Sequence, residues 1–73
     1  MAQYSIVRKV NSDPRETIMF SYEKRSEAKA ALKALAEDAK AKAKPTRWLL
    51  RSDGLLFTMT VGGHTHTVRI RED

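Results

Sequence analysis

The sequence predicts an α+β protein with two layers, in which one helix packs on one face of a mostly antiparallel five-stranded sheet. Three observations predict this fold. Two segments near the N-terminus alternate in polarity, a middle segment is rich in alanine, leucine and lysine, and three later segments alternate again between glycine turns. The predicted order is β-β-α-β-β-β, in a single domain of residues 1–73. Because a lone hairpin is only marginally stable in water, we expect all the strands to share one sheet.

The first two strands are predicted at Tyr4–Val10 and Thr17–Tyr22. Between them lies a cluster of turn formers, residues 11–14, whose proline cannot donate a hydrogen bond to a strand ladder. We therefore predict a hairpin with a long loop. Strict alternation in the second strand assigns three residues to one face: Ile18, Phe20 and Tyr22. It assigns the others to the opposite face: Thr17, Met19 and Ser21.

The helix is predicted to begin at Ser26, whose hydroxyl can cap a free backbone donor, and to continue to Lys44. Glu27 suits the positive end of the helix dipole, and Pro45 ends the helix. Apolar residues at helical spacing form a narrow stripe that should face the sheet: Ala28, Leu32, Leu35 and Ala39.

The last three strands form a predicted meander with two-residue turns at Asp53–Gly54 and Gly62–Gly63. The two turns imply registers that agree, because both sort the side chains into the same two sets. One set is apolar and should lie under the helix: Trp48, Leu50, Leu55, Phe57, Met59, Val61, Val68 and Ile70. The other set should form an uncovered face: Arg47, Leu49, Arg51, Leu56, Thr58, Thr60, Thr65, Thr67, Arg69 and Arg71.

Histidines and carboxylates offer little support for catalysis. His64 and His66 share one face of a strand, but no cysteine or third histidine accompanies them, and a catalytic zinc normally has three protein ligands. We expect this pair to lie at the rim of the core. A weak metal site or a small enzyme using the pair is the less favoured alternative. The helix carboxylates are spaced to pair with lysines on a solvated surface. We therefore expect a protein that is not an enzyme and has no cofactor or metal.

The composition favours a binding role. The formal net charge is +5, and a basic balance favours nucleic acid or an acidic protein surface as the partner. No apolar run approaches the roughly 20 residues of a membrane helix. The chain has no cysteine, and no secretory signal is recognised at its N-terminus. These features predict a cytoplasmic location and no membrane partner.

The leading hypothesis is a small basic protein that binds nucleic acid or a nucleoprotein complex through the arginine- and threonine-rich face. Arginine forks and hydroxyls suit phosphate oxygens. The alternative is a protein-binding inhibitor or regulator, such as a phage-encoded protein of the anti-CRISPR type that blocks a host defence complex. Size, charge and the lack of catalytic motifs are its only support. We expect a monomer or a homodimer paired through exposed strand edges.

Overall fold

A computed structural model describes residues 3–72 and confirms the predicted fold class. It contains, in chain order, the strands β1 (Tyr4–Val10) and β2 (Thr17–Tyr22), the helix α1 (Arg25–Ala43), and the strands β3 (Arg47–Leu50), β4 (Leu56–Val61) and β5 (His64–Glu72). The strands form one antiparallel sheet in the order β2-β1-β5-β4-β3, and α1 packs on one face. No helix within residues 3–72 is both long and apolar enough to cross a membrane.

The N-terminal hairpin joins the meander through β1. This strand pairs with β5 along its whole length, from Tyr4 opposite Glu72 to Val10 opposite His66. At the end of this ladder, the backbone N–H of Asn11 donates to the carbonyl of Thr65 at 2.7 Å. The central strand β5 therefore joins the N-terminal hairpin to the meander. The edge strands of the sheet are β2 and β3.

A β-bulge at Met19 corrects the predicted faces of β2. Ile6 lies opposite Phe20, whereas Val7 lies opposite Ile18, so Met19 has no partner in the ladder. One extra residue shifts the alternation by one position. Met19 consequently packs against the core, while Ile18 is placed on the face away from the helix. The prediction that Ile18 shares a face with Phe20 and Tyr22 was wrong, as was the placing of Met19 opposite them.

The helix begins one residue before its predicted cap. Lys24 occupies the N-cap position with extended backbone angles and without a side-chain cap, and its carbonyl accepts from the N–H of Ala28 at 3.1 Å. Ser26 therefore lies inside the first turn, and its predicted capping role was wrong. At the other end Lys44 adopts a left-handed conformation with φ of 48°, and Pro45 follows, as predicted.

The meander has the predicted register, from Arg47 opposite Thr60 to Val61 opposite His64. Gly62 and Gly63 both have positive φ, which a two-residue type I′ turn requires. The other turn is longer than predicted. The carbonyl of Arg51 accepts from the N–H of Gly54 and its own N–H donates to the carbonyl of Leu56, so residues 52–55 form the connection.

The core lies between the sheet and α1, on the side that the sequence predicts. Its fully buried members come from both layers: Ile6, Leu32, Ala36, Phe57 and Val68. Trp48 packs at its border, where the indole N–H donates to the carbonyl of Ala36 at 2.8 Å. Lys40 places its Nζ 4.5 Å from the centre of the same ring. Trp48 thus joins the edge strand to the middle of the helix.

Candidate binding surface on the open sheet face

The face of the sheet opposite α1, called here the open face, carries nearly all of the predicted binding residues. Alternation along the observed strands places the arginines, threonines and leucines of β3, β4 and β5 together on it. Arg51 lies outside the strands, in the connection from β3 to β4. The register also adds residues of the first hairpin to this face, namely Ser5, Val7, Lys9, Ile18 and Ser21.

Arg69 is held in an ion pair across the open face. Its Nε and Nη2 each donate to one carboxylate oxygen of Glu16 at 2.8 Å, in a two-pronged geometry. Glu16 directly precedes β2, and β1 lies between β2 and β5. The Arg69–Glu16 ion pair therefore spans β1, where Val7, the cross-strand partner of Arg69, is fully buried. An arginine stem that lies on an apolar residue is favourable, because only the charged end needs polar partners.

Charge around Glu16 explains its ionisation. The hydrogen bond from Arg69 holds the pKa of Glu16 below its usual value, and the charges of Arg69, Arg71 and Lys9 lower it further, while partial burial opposes them. Glu16 is therefore ionised at neutral pH. It compensates one of the arginines predicted to bind a partner.

A second predicted arginine is also paired. Arg51 Nη2 lies 2.8 Å from the Asp53 carboxylate, and Arg51 Nε donates to the same group. The N–H of Leu55 donates to Asp53 as well, so this carboxylate closes the turn. These hydrogen bonds lower the pKa of Asp53, that from Arg51 being the larger cause, and the same contact raises the pKa of Arg51.

The remaining part of the open face is rich in hydroxyls. Thr60 lies opposite Thr65, with their hydroxyl oxygens 3.4 Å apart, and Thr58 lies opposite Thr67 in the next pair. A depression of about 640 Å³ opens here. We call it the threonine cleft and define it by five of its lining residues: Arg47, Leu49, Thr58, Thr60 and Thr65. Arg47 is exposed and has no carboxylate within ion-pair distance in residues 3–72.

Two apolar side chains are exposed on the same face. Leu49 is 64% exposed on β3 and Ile18 is 54% exposed on β2, at opposite edges of the sheet. Leu56 is half-buried beside Arg69 on β4. The open face therefore combines hydroxyls and arginines with apolar contact points, a composition found in many interfaces.

The histidine pair lies on the helix side of the sheet, as predicted. His64 is exposed, and its Nδ1 accepts from Asn11 Nδ2 at 3.0 Å. His66 is half-buried opposite Val10 and Met59, and its Nδ1 is buried with no partner among residues 3–72. Burial lowers the pKa of His66, and the charges of Arg8 and His64 lower it further. Within this part of the chain, no group of three His, Cys, Asp or Glu side chains could hold a metal ion.

Sequence reasoning missed Glu16, Val7 and Lys9 as parts of this surface. Glu16 and Arg69 are 53 positions apart, so only the pairing of β1 with β5 brings them together. The alternation of β1 did indicate that Val7 and Lys9 share a face. The sequence does not show that β5 is the strand beside β1, so it does not place Val7 and Lys9 next to the arginines of the open face.

Comparison with known proteins identifies no relative. No family model, no curated protein and no solved structure matches this chain.

Proposed function

We propose that this protein is a non-enzymatic binding protein that docks its open face on nucleic acid or a nucleoprotein complex. The observation that carries the proposal is the threonine cleft, where Arg47, which has no ion-pair partner among residues 3–72, lies among hydroxyl groups on an uncovered sheet. Phosphate oxygens accept hydrogen bonds from both kinds of group. The net charge of +5 adds a general attraction for polyanions.

A role in binding rather than catalysis is supported by how the ionisable groups are used. Asp13, Glu16 and Asp53 each accept hydrogen bonds from an arginine that lower their pKa values, which keeps them ionised and unsuited to donate a proton. His66 lies on the helix side of the sheet, away from the open face.

The test is a titration of labelled single-stranded and duplex oligonucleotides at several salt concentrations. We expect dissociation constants of about 10⁻⁶–10⁻⁴ M near physiological salt, with log K falling linearly against log salt, as for sequence-independent phosphate contacts. Thr67→Glu places a negative charge in the middle of the open face and should weaken binding.

The matched control is Ala30→Glu, which adds the same charge at an exposed position on α1. If both variants bind equally well, the open face is not the docking surface. Thermal melts of both variants separate a loss of binding from a loss of folding. A wild-type chain that binds neither oligonucleotide at low salt would contradict the proposal for free nucleic acid.

A protein-binding inhibitor or regulator is the second candidate, and the exposed leucine favours it. Leu49 is 64% exposed, while Arg51 and Arg69 are occupied by internal carboxylates. Leu49→Lys separates the two functions. On a phosphate-binding face it adds a cation and should tighten oligonucleotide binding. On a protein-binding face it removes an apolar contact, so a protein captured from the native host by the wild-type chain should be lost.

A further inference from the structure

We infer that the threonine cleft is a phosphate-binding site and that Arg47 is its anchoring cation. This inference rests on the proposed function and assigns the contact with the phosphodiester backbone to one end of the open face. The ligand class is a phosphodiester of a nucleic-acid strand. Arg69 and Arg51, although arginines of the same predicted surface, serve the fold.

The charge distribution across the open face supports this assignment. Arg69 and Arg51 each donate to a carboxylate at 2.8 Å, so a phosphate would have to displace an existing partner. Arg47 has no such partner in residues 3–72 and is exposed on the edge strand β3. Its guanidinium can therefore offer its planar donors to a phosphate without breaking an internal contact.

The hydroxyl groups supply the neutral part of the site. Two successive cross-strand threonine pairs, on β4 and β5, present their side chains to the same face. Within the cleft, the hydroxyl of Thr58 has no hydrogen-bond partner in the described chain, and Thr60 and Thr65 contact only each other through their hydroxyls. A hydroxyl can rotate its proton toward an incoming oxygen, so these side chains can donate to a phosphate without rearrangement of the backbone.

The shape and lining of the cleft also suit an anion. The depression of about 640 Å³ includes Arg47 and no carboxylate in its lining. By contrast, the depression beside β2 includes Asp13 and Glu16, and the groove between Phe20 and Leu35 includes Asp38. Leu49 lies at the side of the cleft, next to Thr58, and offers an apolar surface to the sugar that follows each phosphate.

The decisive experiment compares Arg47→Gln with Arg51→Gln in the same salt-dependent oligonucleotide titration. Both variants lose one positive charge from an exposed arginine. We expect Arg47→Gln to weaken binding about tenfold, as for the loss of one charge-assisted contact, and to reduce the salt slope by about 0.7–0.9. We expect Arg51→Gln to change the affinity by less than about twofold, because Arg51 stays paired with Asp53 and does not contact the ligand.

Arg47→Lys tests whether the planar fork matters. It should keep the salt slope of the wild type but bind more weakly, because lysine retains the charge without the two-pronged geometry. Thr60→Val with Thr65→Val tests the hydroxyls. Valine keeps the branched shape and suits a strand, so this double variant should fold, retain the salt slope and bind several-fold more weakly.

The possible outcomes distinguish a failure of the phosphate-site inference from a failure of the proposed function. If Arg47→Gln and Arg51→Gln weaken binding equally, the attraction is a general field, so the cleft assignment is overturned while nucleic-acid binding stands. If the double valine variant binds as tightly as the wild type, the hydroxyls have no role and the site is not the one inferred. If the wild-type chain shows no salt-dependent binding, or captures only a protein, the proposed function fails and the phosphate site fails with it.

Discussion

The two faces of the sheet bury residues by different means. On the covered face, Phe57 and Val68 are 2% exposed because α1 lies over them. On the open face no helix is available, yet Val7 is fully buried on β1, the strand that the Arg69–Glu16 ion pair spans. Farther along the same face, Leu49 remains 64% exposed. The two ends of the open face therefore differ: an internal ion pair occupies Arg69 at one end, whereas Arg47 at the other has no carboxylate within ion-pair distance in residues 3–72.

The largest expected effect on stability is a difference between substitutions at two neighbouring residues of β3. Trp48→Ala removes a ring that packs against the core and donates a hydrogen bond to the carbonyl of Ala36. We expect it to lower the unfolding free energy by about 3 kcal/mol. This value is at the low end for aromatic truncations, because the ring lies at the border of the core. Leu49→Ala, one residue later on the open face, should stay within about 0.5 kcal/mol. Urea denaturation measures both.

An equal cost for the two substitutions would mean that β3 does not separate a covered face from an open one. Trp48→Phe tests the hydrogen bond of the indole separately from its packing. It retains most of the apolar ring and loses the hydrogen bond to Ala36, so it should cost about 1 kcal/mol. A larger loss for Trp48→Phe would assign most of the role of Trp48 to the hydrogen bond rather than to packing.

The meander could be predicted in register because its signals are local. The two-residue turn requires positive φ at both positions, which Gly62 and Gly63 adopt. The alternation on either side allows only one register that places the apolar side chains on one face and the polar ones on the other. The end of the helix at Pro45 is equally local. The position of the threonines on the open face follows from the same period of two.

The rest depends on information that no short stretch contains. Nothing in the composition of β2 marks Met19 as a bulge, since neither glycine nor proline stands there. The partners of the arginines depend on which strand lies beside β5, so the pair of Arg69 with Glu16 could not be predicted. In the turn after β3, which is longer than predicted, the Asp53 carboxylate accepts from both Arg51 and Leu55, contacts that the sequence alone does not show. Internal ion pairs therefore occupy two of the arginines on the face that was predicted to be rich in arginine and threonine.

The second prediction concerns burial on the open face. Val7→Ala should cost about 2 kcal/mol, from the loss of two buried methyl groups and the space they leave. The matched control is Ile18→Ala, its cross-strand partner on the same face, which is 54% exposed and should cost less than about 1 kcal/mol. If Val7→Ala and Ile18→Ala lower the unfolding free energy equally, the side chain of Val7 is not part of a buried cluster on the open face.

The smallest effect at neutral pH is expected for Glu16→Gln, and its signature is a change in the dependence on pH. The pKa of Glu16 is lowered in the folded state, chiefly by the hydrogen bond from Arg69. Its contribution to stability is therefore fully present above the unfolded value of 4.5 and is lost as the pH falls through the lower folded value. Glu16→Gln should make stability less sensitive to acid below pH 4.5, because one of the carboxylates responsible is absent.

Asp38→Asn is the control for this measurement. Asp38 pairs with Lys42 at 3.2 Å on the exposed surface of α1, where both side chains are well solvated. Its removal should leave the acid sensitivity close to that of the wild type. Equal flattening by both variants would mean that the Arg69–Glu16 pair behaves as an ordinary surface ion pair. In that case Arg69 would be as available to a partner as Arg47, and the open face would be basic from one end to the other.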